Sequence, residues 1–226
     1  MKTKTTDAVI LAAGTGRRYD KNIPKQFIKV TNKSSVEITI SKLSKIKGLR
    51  NIYLVISKKY IKFIKKIPKK IKIVFGGKTR SESVFNSLVY IKNTKSLPDN
   101  ILIHDSVRPC VNNIDIKNLL ISSKKSNTGI ALGYPLTHAL KCVDNKLNII
   151  KHIEKKNFWL SFTPQIFNFN KLYLSYKKII ENKHKVDDDI QAMSFSSHKV
   201  SLIFSSNNNI KLTYPDDIAV IRKLMR

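Results

Sequence analysis

The chain has 226 residues, with 43 Lys plus Arg against 15 Asp plus Glu and a formal net charge of +28. Hydrophobic residues make up 42% of it and are spread along its whole length, which excludes a charged disordered tail and leaves enough apolar material for a sizeable core. No run of about 18 apolar residues occurs, so no segment qualifies as a membrane helix, and the polar stretch Met1 to Thr6 predicts no secretory leader. Cys110 and Cys142 form neither a CxxC pair nor a metal-ligand spacing; they read as reduced thiols in a cytoplasmic setting.

The kind of base matters more than its amount. The 43 cations are 36 Lys and 7 Arg, whereas base and phosphate recognition favours the bidentate fork of Arg. The chain is also crowded with Ile and Asn, which share A/T-rich codons with Lys, so compositional bias accounts for much of the charge. This argues against nucleic acid as a partner. A basic nucleic-acid-binding protein with a decayed site stays as a distant alternative, which RNA affinity that survives moderate salt and is lost on neutralising Lys58–Lys72 would support.

In chain order, Ala8 to Ala12 is a short apolar run that ends in a small-residue loop and predicts a first strand. Helical spacing follows over Val36–Ile46. Asn51 to Ile56 is apolar nearly throughout, as in a strand buried on both faces. Lys58–Ile67 predicts an amphipathic helix, with Lys58, Lys62, Lys65, Lys66 and Lys69 on one face and Ile61, Ile64 and Ile67 on another. Further strands are predicted at Ile71–Phe75, Ile101–Ile103 and Gly129–Tyr134, with helices at Ser81–Ile91 and Asp115–Lys124. Residues 136–160 break the alternation. Ala139–Val143 and Asn148–Ile153, turning at Asp144-Asn145, predict a protruding β-hairpin arm. Helices over Lys171–Glu181, Asp188–Ser196 and Asp216–Leu224 complete the chain, the last introduced by Pro215. This order implies an α/β fold: one domain over residues 1–226, with a Rossmann-like, open, mostly parallel sheet and helices on both faces.

Ligands of such sheets bind beyond the carboxyl ends of the strands. The loop after the first strand, Leu11-Ala12-Ala13-Gly14-Thr15-Gly16-Arg17-Arg18, is followed by Pro24-Lys25-Gln26. Small residues there let phosphates approach the backbone, and Arg18 and Lys25 add positive charge, a combination that suits a nucleoside triphosphate. Two better-known phosphate motifs fail. A dinucleotide fingerprint would need Gly where Tyr19 stands. A Walker A loop ending at Gly77-Lys78-Thr79 would need Gly at Lys72.

The first-strand loop resembles the signature of nucleotidyltransferases that activate sugars and polyols. Gly76-Gly77-x-x-Arg80-x-x-Ser83-Val84, His104-Asp105-x-x-Arg108-Pro109, Thr163-Pro164-Gln165 and Asn209-Ile210-Lys211-Leu212-Thr213-x-Pro215-x-Asp217 follow in order. Together they resemble the polyol-phosphate cytidylyltransferases, most closely the 2-C-methyl-D-erythritol 4-phosphate cytidylyltransferase family; relatives acting on ribitol 5-phosphate share most of the motifs and remain the alternative.

The resemblance implies transfer of CMP from CTP to a polyol phosphate with release of pyrophosphate, Mg²⁺ carried mainly by the CTP phosphates, and a homodimer joined by the arm. It gives Arg18 and Lys25 the stabilisation of transition-state charge, with Lys211 the third catalytic group. Ala12, Ala13, Gly14, Gly16, Gly77, Ser83 and Asp105 would bind CTP. Asp105, Arg108, Lys155, Thr163 and Lys211 would hold the polyol phosphate. Asp105 also suits a strand-end cap, and Arg80 and Arg108 suit structural ion pairs. The chain departs from the family pattern chiefly on the polyol side. His138-Ala139 replaces an Asp-Thr pair in the arm, Lys155 replaces an Arg, and Lys78 stands where an acid is usual.

Overall fold

Residues 4–15, 23–64 and 67–226 are described by a computed structural model. Strand β1 (Thr6–Leu11) sends successive side chains to opposite faces of one sheet: Ala8 and Ile10 to one side, Val9 to the other. β2 (Leu49–Ile56) and β4 (Asn100–Asp105) do the same. Leu54, Ile56 and Leu102 join the first side; Tyr53, Val55, Ile101 and Ile103 join the second. The first face is covered by α1 (Ser35–Ser44) and α3 (Asn113–Ser123) through Val36, Ile40, Leu43, Ile116 and Leu119. The second is covered by α2 (Arg80–Lys92), α4 (Phe169–Glu181) and α5 (Asp189–Phe195), whose Val84, Leu88, Phe169, Leu172, Tyr176 and Met193 are fully or almost fully buried. Two-faced burial explains why these strands read as unbroken apolar runs.

With β3 (Ile71–Phe75), β5 (Gly129–Pro135), β8 (Trp159–Asn168) and β9 (Val200–Phe204), the sheet has seven strands in the order β3-β2-β1-β4-β8-β5-β9. Its pairings are parallel except at β8, which runs antiparallel to both β4 and β5. The mostly parallel sheet with helices on both faces is therefore as expected. The two additions are β8 and the edge strand β9. In the β5–β8 ladder Ala131 faces Gln165 while Leu132 faces Phe162, so Thr163 and Pro164 bulge out of the pairing.

The arm forms as predicted. β6 (Leu140–Val143) and β7 (Ile149–Ile153) make a separate two-stranded antiparallel sheet closed by Asp144, whose carboxylate accepts from the amides of Lys146 and Asn148.

The segment after β2 differs from expectation. It folds as a 3-10 helix over Lys58–Phe63 instead of an α-helix to Ile67. Tyr60 and Phe63, three residues apart, both pack on Phe27, with ring centroids 5.9 and 5.1 Å away. A three-residue turn places both rings on one side, which the α-period does less well. Lys65 and Lys66 lie outside the described residues.

Helix starts follow their caps. Ser34 and Glu37 form a capping box on α1, and Thr79, Asn112, Asn168 and Asp188 accept from amides of the first turns of α2, α3, α4 and α5. α6 (Asp217–Leu224) is organised by Asp217, whose carboxylate accepts from the amides of Thr213 and Tyr214. Its Ile221 joins Val30, Ile38, Val107 and Leu212 in a small third core.

Candidate active site

The carboxyl ends of β1, β2, β3 and β4 open onto one cleft of about 720 Å³. Its first wall is main chain. Ala12 N–H donates to Val55 O (2.7 Å), and buried Gln26 donates Nε2 to Ala12 O (2.8 Å) and Gly14 O (2.7 Å). Gln26 thus fastens the loop after β1 to the 3-10 turn Lys25–Phe27, which sets Lys25 on the cleft wall.

The opposite wall is the loop after β3. A Cβ on Gly76 would lie 2.5 Å from Ala13 Cβ and 2.7 Å from Ser83 Oγ, and one on Gly77 would lie 2.3 Å from Glu82 Cβ. Neither position has room for a side chain, so the two loops can approach each other closely. Ser83 Oγ accepts from Gly77 N–H (3.1 Å) and donates to Thr79 O (2.8 Å), while Glu82 accepts from Lys78 N–H (2.7 Å).

Asp105 closes β4 and is 7% exposed. Lys211 Nζ lies 2.9 Å from its Oδ2, and Arg80 Nε 3.5 Å from its Oδ1. Burial alone would raise the Asp105 carboxyl, but Arg80 and Lys211 outweigh it and hold the group well below the usual carboxylate range. Arg80 also forks onto Asp189, at 2.7 and 3.1 Å, and Tyr176 Oη donates to the same carboxylate (2.5 Å). Lys211 is steadied by its neighbour. Leu212 is fully buried and its N–H donates to Val107 O (2.8 Å).

The cleft gathers Ala12, Ala13, Gly14, Lys25, Gly77, Ser83, Asp105 and Lys211. Gly16 and Arg18 lie outside the described residues. Thr163 and Arg108 are not on the wall. Bulged Thr163 accepts from Asp105 N–H (3.0 Å) and, through its carbonyl, from Asn209 Nδ2 (2.9 Å). Arg108 donates to Asn209 O (2.7 Å) and lies 5.3 Å over the Phe162 ring. These contacts give the two residues the bracing of Asp105 and of the loop that carries Lys211: Thr163 Oγ1 holds the Asp105 amide, and Arg108 Nη1 holds the Asn209 carbonyl. Lys155 donates to Thr137 O at the root of the arm, away from this cleft.

Sequence reading assigned no role to Gln26, Lys59, Glu82, Asp189 or Tyr176. Gln26 was legible as part of Pro24-Lys25-Gln26. Asp189 had no local signal, since its partner Arg80 is 109 residues away. The wall carries the cations Lys25, Lys59, Lys78, Arg80 and Lys211 against the carboxylates Glu82 and Asp105, a surplus that suits phosphate. Among the described residues no three His, Cys, Asp or Glu side chains cluster as a metal site.

Close-packed backbone opposite fixed cations, at the carboxyl edge of a largely parallel sheet, suits an enzyme that works by holding phosphates in place, and the family that the chain matches makes this enzyme a nucleotidyltransferase. Its branch follows from comparison with known proteins: residues 6–226 match the model of 2-C-methyl-D-erythritol 4-phosphate cytidylyltransferase, and the chain belongs to that family. The enzyme of that name from Wigglesworthia glossinidia brevipalpis is 36% identical over 212 residues, 92% of this chain and 90% of that protein. The one from Petrotoga mobilis is 32% identical over 219 residues, covering 95% and 96%. Among solved structures, the Francisella tularensis 2-C-methyl-D-erythritol 4-phosphate cytidylyltransferase superposes with a TM-score of 0.84 at 27% identity, covering 97% of this chain and 99% of that one.

Proposed function

We propose that the protein transfers CMP from CTP to 2-C-methyl-D-erythritol 4-phosphate and releases pyrophosphate. What carries the reading is the convergence of Lys25, Asp105 and Lys211 on one cleft in a chain that matches this family from residue 6 to residue 226. A phosphate oxygen of the polyol attacks the α-phosphorus of CTP, the α–β anhydride bond breaks, and its electron pair leaves with pyrophosphate. The attacking oxygen is already ionised, so no protein base is required. Catalysis reduces to alignment and to stabilising charge on five-coordinate phosphorus. Lys25 faces that charge, and the motif that carries Arg18 assigns it the same role. Lys211 draws in the polyol phosphate while Asp105 fixes its ammonium and accepts from substrate hydroxyls. Loop backbone at Ala12, Ala13, Gly14 and Gly77 receives the cytidine and phosphates.

Mg²⁺ belongs in this reading as a passenger on the triphosphate. The two carboxylates of the cleft are already engaged, Asp105 with cations and Glu82 with an amide, which fits a cation held by phosphate oxygens and water. It would offset negative charge along the polyphosphate. The same reading places the enzyme in the cytoplasm, and a chain rich in Lys and poor in Arg does not favour nucleic acid as a partner.

The test is pyrophosphate release in the presence of CTP and Mg²⁺. Release is expected with 2-C-methyl-D-erythritol 4-phosphate and not with ribitol 5-phosphate. Release with ribitol 5-phosphate alone would move the assignment to that substrate, and silence with both would remove the enzyme reading.

The dimer is part of the same proposal. A lone two-stranded sheet is marginal in water, yet the arm exposes Val143, Leu147, Ile149 and Ile150, with Leu147 80% exposed. A partner subunit would cover them. Sedimentation equilibrium should give about twice the chain mass of 25.9 kDa. A fully active monomer would refute the pairing.

A further inference from the structure

Arg80 does not need to touch substrate to matter, because its guanidinium is shared between two carboxylates from distant parts of the chain. Asp189, 0% exposed at the start of α5, takes the two terminal nitrogens at 3.1 and 2.7 Å and is held in turn by Tyr176 of α4. That fork fixes the plane of the guanidinium and leaves Nε 3.5 Å from Asp105 Oδ1, an ion pair across the edge of the cleft. On the far side of Asp105 stands Lys211 at 2.9 Å, its side chain still 40% exposed at the cleft.

We propose that Arg80 is a positioning residue for the transfer reaction: anchored by Asp189 and Tyr176, it shares the Asp105 carboxylate so that Lys211 keeps its ammonium at the cleft and available to the incoming phosphate. Without Arg80, Asp105 would have Lys211 as its close counter-ion, with Arg108 engaged on Asn209 O. The ammonium is already in contact with Asp105 at 2.9 Å, so loss of Arg80 would leave the whole carboxylate charge to Lys211 and hold it there more tightly against the incoming phosphate, and a small misplacement of a phosphate-holding group is costly in rate. Thr163, which receives the Asp105 N–H, holds the backbone but supplies no charge.

This inference rests on the function proposed above, and the experiment separates the two. Arg80→Gln should lower the melting temperature, because it leaves Asp189 buried with the Tyr176 hydroxyl but without its counter-charge. Arg80→Gln with Asp189→Asn neutralises both ends of the pair and should recover most of that loss. The same double variant should nonetheless retain a kcat/KM for the polyol phosphate on the order of 10²-fold below the parent enzyme. Lys211→Gln should also cost much less in the neutralised background than in the parent, since the two residues act through one carboxylate. Recovery of both stability and rate in the neutralised pair, or an equal cost of Lys211→Gln in both backgrounds, would overturn the positioning role. A parent enzyme without pyrophosphate release would instead sink the proposed function.

Discussion

Lys25→Ala should lower kcat by about 10²–10³-fold, the usual cost of removing one fixed donor that faces transition-state charge. Binding of CTP, followed by calorimetry without the polyol phosphate, should weaken only a few-fold. The asymmetry is expected because the surrounding loop provides most of the ground-state contact, while the ammonium meets charge that grows during transfer. The position is rigid: Lys25 begins a 3-10 turn whose next residue, Gln26, is buried and bonded to two carbonyls of the β1 loop. Arg18 carries the same expectation from its motif. Near-normal turnover in Lys25→Ala would take the residue out of the mechanism.

Acidification from pH 7 towards pH 4 should destabilise the fold by roughly 3 kcal/mol through His104 alone. This imidazole on β4 is fully buried. Burial, chiefly, outweighs the opposing pull of the Asp105 carboxylate and, with Arg108 and Lys42 as nearby positive charges, pushes it down to about 4. The unfolded chain takes up the proton near pH 6.5 and the folded chain only near 4, so between these values the unfolded state binds more protons. Stability from this group is therefore complete above about pH 6.5 and declines as the pH falls to 4. The Asp105 contribution lies lower. Its carboxyl is held below the ordinary range, so that stability is present above the unfolded carboxylate value and is lost only at stronger acidity. Urea midpoints for the parent and His104→Leu across pH 4.5–7 check this. The parent's curve should fall toward acid while the variant's stays flatter; parallel curves would refute the assignment.

Much of this architecture is visible in the residue order. Two-faced burial makes β1, β2 and β4 continuous apolar runs, and short polar caps mark most helix starts. Strand β8 is harder to see. Its length is broken by Thr163-Pro164, which bulge from the ladder, and by Ser161 and Gln165, so no clean period of two survives. β9 is an edge strand with Ser201, Leu202 and Phe204 exposed, which hides its inward face. The stretch after β2 misleads because its lysines suit an α-period while the packing of Tyr60 and Phe63 on Phe27 selects a tighter turn.

The cleft divides in the same way. Residues close together in a motif, such as Ala12-Ala13-Gly14 and Gly76-Gly77, are legible because loop chemistry is local. Relations across the chain are not. Nothing in the order of residues says that Thr163 and Arg108 brace Asp105 and its neighbouring loop from behind, or that Arg80 reaches Asp189.

The interlock of Gly76 against Ala13 has a consequence for how such a protein ages. A codon bias toward lysine acts on side chains throughout a chain, and here 36 of 226 residues are Lys. Drift can recolour a wall made of side chains. It can touch one made of backbone only through the few positions where a Cβ will not fit, and there almost any change is visible to selection at once. The backbone part of this molecule's working surface is thus written in a material that codon bias cannot easily reach.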